Sequence, residues 1–222
     1  MKRNKSSYVR DLRRQTNVRV PKQSILIVCE GDKTEPNYFK GLAQHLGILG
    51  RNSFEVEIDI RPSNTASAPK SVVEKAKLAK DERERSPSLI TRPYDQVYCV
   101  IDTEIPQHKS LKEAIETARQ CDIEISLSNP CFEYWLLLHY EMSSKAYSST
   151  AQVLKDLRNH CPGYKKCKVD QQWFGKIDQA VRNSKAVLKI YGANVDLKTC
   201  TGTEVHKVVE LMREMTAKKS GK

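Results

Sequence analysis

The sequence lacks any apolar stretch close to the roughly 20 residues that a helix needs to cross a bilayer. Its basic N-terminus is not followed by the apolar segment of a secretory signal. Seven cysteines are present, but no two of them form the Cys-x-x-Cys pair of many zinc and redox sites. These absences argue against a membrane-spanning or disulfide-rich secreted protein. We therefore expect a cytoplasmic protein with reduced cysteines.

Positive charge is concentrated at the two ends of the chain. Of the formal net charge of +11, residues 1–22 contribute +7 and residues 218–222 contribute +3, so the segment between them is nearly neutral. Basic arms of this kind contact phosphate backbones without sequence preference and in a salt-sensitive way. We interpret residues 1–22 as an N-terminal arm that binds nucleic acid through Arg10, Arg13 and Arg14. A solubilising tail is the alternative.

Short apolar runs alternate with helical patterns over residues 23–141. The runs that read as strands lie at about 24–29, 54–60, 95–101 and 123–127. Such alternation predicts right-handed crossovers and an α/β fold, in which helices flank a mainly parallel sheet. Residues 142–222 show three helical patterns and no convincing strand, which predicts a C-terminal helical region.

Acidic residues follow two of the predicted strands. Glu30 comes directly after the first strand, and Asp102 and Glu104 come after the third. Because ligands of parallel sheets bind beyond the carboxyl ends of the strands, we expect these acids to converge. Mg²⁺ takes only one or two protein carboxylates and completes its shell with water and phosphate oxygens. The pattern predicts a Mg²⁺ or Mn²⁺ site of the kind used in phosphoryl transfer.

The loop after Glu30 leads straight into a predicted helix. Gly31 allows close backbone approach, the helix N-terminus favours an anion, and Lys33 adds a positive charge. We interpret Lys33 as a phosphate contact. Asp32 and Glu35 are interpreted as residues that cap the helix and complement its dipole.

A second dense segment, residues 128–139, also joins a strand to a helix. Asn129 is predicted to cap this helix, with Pro130 in its first turn. Glu133 either complements the helix dipole or joins the metal site. His139 falls on the apolar face and is predicted to be a core-edge histidine.

Three of these segments resemble the RloB-like proteins. They are residues 25–39, which include Cys29-Glu30-Gly31-Asp32-Lys33-Thr34-Glu35-Pro36, then Asp102-Thr103-Glu104, and then residues 128–137. The resemblance implies the Toprim fold of topoisomerases, primases and OLD-type nucleases. It implies that Glu30 acts in acid–base chemistry or metal binding, and that Asp102 and Glu104 occupy the Asp-x-Asp metal pair. Here glutamate replaces the second aspartate.

The resemblance also implies a role in prokaryotic anti-phage defence, with an ATPase as an expected partner. A more distant similarity to the Toprim effector of an ATP-dependent defence system implies an RNase that acts on tRNA. Our first hypothesis is therefore a Mg²⁺-dependent nuclease with Glu30 and Lys33 as catalytic residues. Whether the protein forms a homo-oligomer stays open, and no membrane partner is expected.

Two other functions stay open at this point. The first is a catalytically silent module that binds nucleic acid or signals to a partner. The second is a DNA-nicking enzyme, which needs a tyrosine nucleophile, and the sequence gives no reason to choose among Tyr38, Tyr98 and Tyr134.

The basic arm generates a first prediction. Deleting residues 1–20 should weaken nucleic-acid binding and flatten its salt dependence. The reason is that fewer phosphate contacts release fewer counterions on binding. Titrations of RNA and DNA at several salt concentrations measure both effects. Unchanged affinity at every salt concentration would identify the arm as a tail.

Overall fold

The computed structural model of the protein describes residues 21, 23–49, 56–64, 68–86, 92–103, 110–166, 168–192 and 196–217. Four residues of the predicted sites lie outside these ranges, so their roles stay predictions: Arg10, Arg13, Arg14 and Glu104. None of the helices in the described ranges has the length and apolar character needed to span a membrane.

Within these ranges, five strands form one sheet in the order β2-β1-β3-β4-β5. Their bounds are Gln23–Cys29 for β1, Val56–Pro62 for β2, Gln96–Asp102 for β3, Glu124–Asn129 for β4 and Gly202–Thr203 for β5. The first four strands are parallel, and β5 pairs antiparallel with β4. The central strand β1 is buried along nearly its whole length, as its continuous apolar run predicts. Strand β2, which alternates in polarity, lies at the sheet edge.

Eight helices lie in the described ranges. Their bounds are Thr34–His45 for α1, Pro69–Arg85 for α2, Leu111–Gln120 for α3, Glu133–Leu137 for α4, Thr150–His160 for α5, Gln172–Gly175 for α6, Ile177–Ile190 for α7 and Val205–Ala217 for α8. The helical patterns seen in the sequence before and after residue 141 correspond to α1, α2, α3, α5, α7 and α8.

Alternate residues of β1 enter two different cores. Ile25 and Ile27 pack in a core with α1 and the C-terminal helices, whereas Leu26 and Val28 pack in a core with α2 and α3. The chain passes from β1 to β2 and then returns past β1 to β3, so right-handed crossovers place α1 and α2 on opposite faces. The structure confirms an α/β fold with a mainly parallel sheet, and it is consistent with a Toprim-like fold.

The expectation that no strand follows residue 141 is wrong, because β5 extends the sheet beside β4. Its two residues are too few to show an alternating pattern. A Cβ atom at Gly202 would lie 2.6 Å from Leu197 Cδ2, so a larger residue there would require the Leu197 side chain to shift. Val208 and Val209 of α8 share the core of Ile25 and Ile27. The domain boundaries at residues 22 and 141 stay predictions, but this core is continuous across residue 141.

The predicted helix cap at Asn129 is also wrong. Asn129 ends β4, precedes a cis peptide bond to Pro130, and donates from Nδ2 to the Leu197 carbonyl at 2.8 Å. Its side chain therefore bonds to the C-terminal part of the chain and does not cap a helix. Helix α4 begins only at Glu133.

A buried hydroxyl joins three C-terminal elements and generates a prediction. Ser184 Oγ of α7 donates to the Thr203 carbonyl at 2.8 Å and lies 2.9 Å from His206 Nδ1 of α8. Ser184→Ala should cost about 1–3 kcal/mol in the free energy of unfolding, because it leaves buried polar groups unpaired. The expected fall in Tm is roughly 2–4 °C per kcal/mol.

Ser144→Ala is the matched control, because Ser144 is exposed. It should change stability by less than about 0.5 kcal/mol. Equal Tm values for the two variants would contradict the linking role of Ser184.

Candidate active site

A pocket of about 390 Å³ lies beyond the carboxyl ends of β1 and β3. The strand order reverses at this pair, since β2 lies on one side of β1 and β3 on the other. This is the place where ligands of open parallel sheets bind. The lining residues come from the loop after β1, the end of β3, the start of α4 and the segment after α5: Glu30, Gly31, Asp32, Lys33, Thr34, Glu35, Asp102, Phe132, Glu133 and Lys166.

Glu30 joins the ends of the two central strands. Its backbone N–H donates to the Val100 carbonyl at 3.0 Å, and its Oε2 accepts a hydrogen bond from the Asp102 backbone N–H at 3.0 Å. The side chain is 8% exposed. Its carboxylate is therefore held at the strand ends, as its position after the first apolar run predicts.

Asp102 carries a buried oxygen, Oδ1, that has no hydrogen-bond partner in the described part of the chain. Burial raises the pKa of Asp102 well above its usual value, and the Glu35, Glu30 and Glu133 carboxylates raise it further. A hydrogen bond with the Phe132 backbone acts in the opposite direction. The ionised form of Asp102 is thus surrounded mainly by other carboxylates, with Lys166 as a nearby positive charge, and a proton or a bound cation would stabilise it.

Glu35 belongs to the same pocket, although the sequence suggested only a helix-capping role. Its Oε1 accepts from the Gly31 N–H at 3.2 Å, and burial raises the pKa of its carboxyl, with Glu133 adding to the rise. A Cβ atom at residue 31 would lie 2.1 Å from Glu35 Oε2, so the approach requires Gly31. Asp32 does not cap the helix, because its Oδ1 accepts from the Asn64 N–H at 3.2 Å.

Glu133 connects the pocket to the C-terminal half of the chain. It lies in the first turn of α4, is 4% exposed, and accepts a hydrogen bond from the Tyr164 hydroxyl at 3.2 Å. Lys166 Nζ lies 3.6 Å from Glu133 Oε1, and this carboxylate raises the pKa of Lys166. This position fits both predicted alternatives for Glu133, since it lies in the first turn of α4 and also lines the acidic pocket, and its role as a metal ligand stays a prediction.

The charge of the pocket is strongly unbalanced. Five carboxylates line it, against the two lysines Lys33 and Lys166. Lys33 is exposed and immediately precedes α1, whose N-terminus adds a partial positive charge at the rim. Such a pocket attracts cations, and it accepts an anionic ligand most readily when a cation accompanies it.

The donor chemistry suits a hard divalent cation. Asp102 Oδ1 is a carboxylate oxygen without a hydrogen-bond partner among the described residues, and Mg²⁺ needs only one or two carboxylate ligands. Within the described ranges, however, no group of three or more His, Cys, Asp and Glu side chains is arranged to hold a metal ion. Glu104, the predicted second acid of the pair, lies outside those ranges. The predicted cluster of Glu30, Asp102 and Glu104, with Glu133 beside it, therefore stays a prediction.

Comparison with known proteins identifies the family. A family model described as RloB-like protein matches residues 25–212, which is most of the chain. The chain belongs to the RloB-like protein family. The matched region contains every residue that lines the pocket of this RloB-like protein. No curated protein and no solved structure matched the chain.

The sequence pointed to Glu30, Lys33, Asp102 and Glu133, and the structure brings these four residues of the RloB-like protein into one pocket. The sequence did not single out Lys166 for this site. The Gly-Tyr-Lys-Lys run at residues 163–166 was a signal, but its place opposite Glu133 depends on tertiary packing.

Other candidate residues of the sequence lie in the core. Tyr38 and Tyr134 are fully buried, which argues against either one as an exposed nucleophile. His139 is buried as predicted, and burial lowers its pKa to about 4.

The repulsion around Asp102 generates a prediction about pH. In metal-free protein, Asp102→Asn should raise the Tm at neutral pH, because the amide needs no counter-charge among the neighbouring carboxylates. Each unit by which folding raises the carboxyl pKa corresponds to about 1.4 kcal/mol of lost stability. Thermal unfolding in a chelator from pH 4 to pH 8 measures the effect.

The sign follows from the raised pKa of the folded state. Wild-type stability from this group is complete below the ordinary aspartate pKa and is lost as pH rises through the raised value. The advantage of Asp102→Asn should therefore grow with pH and then level off. An advantage that shrinks as pH rises would contradict the raised pKa.

Proposed function

We propose that this RloB-like protein is a divalent-metal-dependent nuclease that cleaves RNA, with tRNA as the favoured substrate, in prokaryotic anti-phage defence. The observation that carries the proposal is the buried Oδ1 of Asp102, which has no hydrogen-bond partner in the described ranges and lies in an acidic pocket at the strand-order reversal. RNA, tRNA and defence rest on the family resemblance.

The acids of the pocket have the chemistry to hold Mg²⁺ or Mn²⁺. Asp102 would be one ligand, with Glu104 as the second acid of the pair and water completing the shell. When bound, the ion supplies positive charge for the pentacoordinate phosphoryl group of the transition state. A bound cation would also offset the repulsion by the neighbouring carboxylates, which adds to the effect of burial in raising the pKa of Asp102.

Glu30 is suited to act as general base or as a ligand of a second ion. One of its oxygens accepts the Asp102 N–H, which orients the carboxylate toward the pocket while the side chain stays largely shielded from water. A carboxylate in this position can accept a proton from a water molecule or a ribose hydroxyl. Glu35 and Glu133 are close enough to influence the same site electrostatically.

The two lysines are suited to bind the substrate. Lys33 and the N-terminus of α1 form one side of the pocket and favour a phosphate group. Lys166 also lines the pocket, and its side chain is 62% exposed although it pairs with Glu133. A phosphodiester in the pocket would contact the positive charge of both lysines.

A catalytically silent nucleic-acid-binding or signalling module is the second candidate. It is favoured by the lack of a three-ligand metal group in the described ranges. It also fits a Lys166–Glu133 pair that serves only to neutralise a buried acid. The DNA-nicking alternative has weaker support, because Tyr38 and Tyr134 are fully buried.

Catalysis by Glu30 generates the decisive prediction. With Mg²⁺ or Mn²⁺, the protein, or its complex with an ATPase partner, should cleave RNA. Glu30→Gln should lower the cleavage rate at least about 100-fold, the range expected when general-base catalysis is lost. RNA binding should persist, because glutamine keeps the size of the side chain and an oxygen that accepts the Asp102 N–H. Single-turnover cleavage and binding of labelled tRNA measure the two effects.

Glu74→Gln is the matched control, since Glu74 is an exposed carboxylate on α2 and lies outside the pocket. It should leave cleavage unchanged. A wild-type rate for Glu30→Gln would remove Glu30 from the mechanism. Failure of the triggered complex to cleave any RNA or DNA would favour the silent module.

A further inference from the structure

A second pocket, of about 600 Å³, lies next to the acidic one. It is formed around the ends of α5 and α6 and the segment that connects them. Its lining combines aromatic rings with basic side chains, including Tyr140, His160, Trp173, Lys165 and Lys168. The lining of this aromatic pocket thus differs in chemistry from that of the acidic pocket.

The rings of the aromatic pocket form a supported platform. Tyr140 and His160 stack with their centroids 5.4 Å apart and an angle of 10° between the ring planes. Trp173 Nε1 donates to the Tyr140 hydroxyl at 3.1 Å, and Lys176 Nζ lies 4.2 Å from the centroid of the Tyr140 ring. His160 Nε2 lies 3.2 Å from Glu141 Oε2, and the side chain of His160 remains 34% exposed. The Tyr140 side of the platform is held by these contacts, and the His160 side is partly exposed.

The rim of the aromatic pocket is positively charged. Lys165 and Lys168 are both exposed, and neither has an ion-pair partner among the residues that the structure describes. The acid in the lining, Asp170, already accepts hydrogen bonds from the Gln172 N–H at 2.9 Å and from Cys161 Sγ at 3.8 Å. Exposed cations above aromatic rings complement a phosphate attached to a flat, uncharged base.

One short segment separates the two pockets. Tyr164 lines the aromatic pocket, while its hydroxyl donates to Glu133 in the acidic pocket. Lys165 lines the aromatic pocket, and Lys166 lines the acidic pocket. A ligand that continues from one pocket to the other would therefore pass over adjacent residues.

We propose that the aromatic pocket binds an unpaired nucleobase of the strand whose phosphodiester occupies the acidic pocket. The base stacks on the His160–Tyr140 platform, and Lys165 and Lys168 contact the adjoining phosphate. Stacking on aromatic rings is the common mode by which proteins hold single-stranded bases. This inference rests on the proposed action on nucleic acid, but it does not require that the protein cleaves its ligand.

The test uses the full chain and short single-stranded oligonucleotides. Affinity is measured by fluorescence anisotropy in Ca²⁺ and in chelator, with RNA, DNA and an abasic backbone of equal length as probes. His160→Ala should weaken binding of base-containing strands about fivefold or more and leave the abasic strand unaffected. His160→Phe should retain base-dependent binding, because it keeps an aromatic ring.

The basic rim is tested with a matched pair of double variants. Lys165→Ala with Lys168→Ala should weaken binding of all strands and reduce the salt dependence. Lys77→Ala with Lys112→Ala makes the same charge change on α2 and α3, the helices of the opposite face, and should have a smaller effect. Comparison of RNA with DNA then shows which strand the pocket prefers.

The outcomes separate this inference from the nuclease proposal. Base-dependent binding that is lost in His160→Ala, without cleavage under any condition, supports the nucleobase site and overturns the nuclease. Cleavage together with equal affinity for abasic and base-containing strands supports the nuclease and overturns the nucleobase site. Failure of the wild-type chain to bind any oligonucleotide, or equal effects of the two lysine pairs, would also overturn the nucleobase site.

Discussion

The parallel pairing of β1 with β3 is the interaction on which the candidate site depends. It places Glu30 directly beside Asp102, and the Asp102 N–H donates to the Glu30 carboxylate. Burial and the nearby carboxylates raise the pKa of Asp102, so the pairing stores like-charge repulsion at the strand ends. A proton or a bound cation at Asp102 would relieve this repulsion.

The C-terminal part of the chain contributes to this pocket. The segment after α5 supplies Tyr164 and Lys166, which contact Glu133. Strand β5 extends the sheet next to β4, and the side chain of Asn129 is hydrogen-bonded to Leu197. Membership of the RloB-like family covers both halves, since the match extends over residues 25–212.

In the proposed function, the two adjacent pockets bind different parts of the nucleic acid. The acidic pocket has the chemistry for a divalent cation and a phosphodiester, and the aromatic pocket has the chemistry for a base. Electrostatics alone would make an acidic pocket repel RNA, so a cation and the flanking lysines are needed to bring a phosphate there. Substitutions at the basic rim of the aromatic pocket should then weaken binding, whereas substitution of Glu30 should remove cleavage and leave binding in place.

The sequence by itself determined the fold class and half of the site. Continuous apolar runs that alternate with helical patterns predicted a parallel sheet. Acids directly after such runs must lie at the carboxyl edge of that sheet. This reasoning singled out Glu30 and Asp102, and the strand-to-helix segment at residues 128–139 added Glu133. The sequence did not predict β5, because two residues are too few to show the alternating polarity of a strand. It predicted Asn129 as a helix cap, because an asparagine that caps a helix and one that forms a long-range hydrogen bond look the same in the sequence. Only the tertiary structure could place Lys166 opposite Glu133, because contacts between residues far apart in the chain depend on how the helices pack and leave no local pattern.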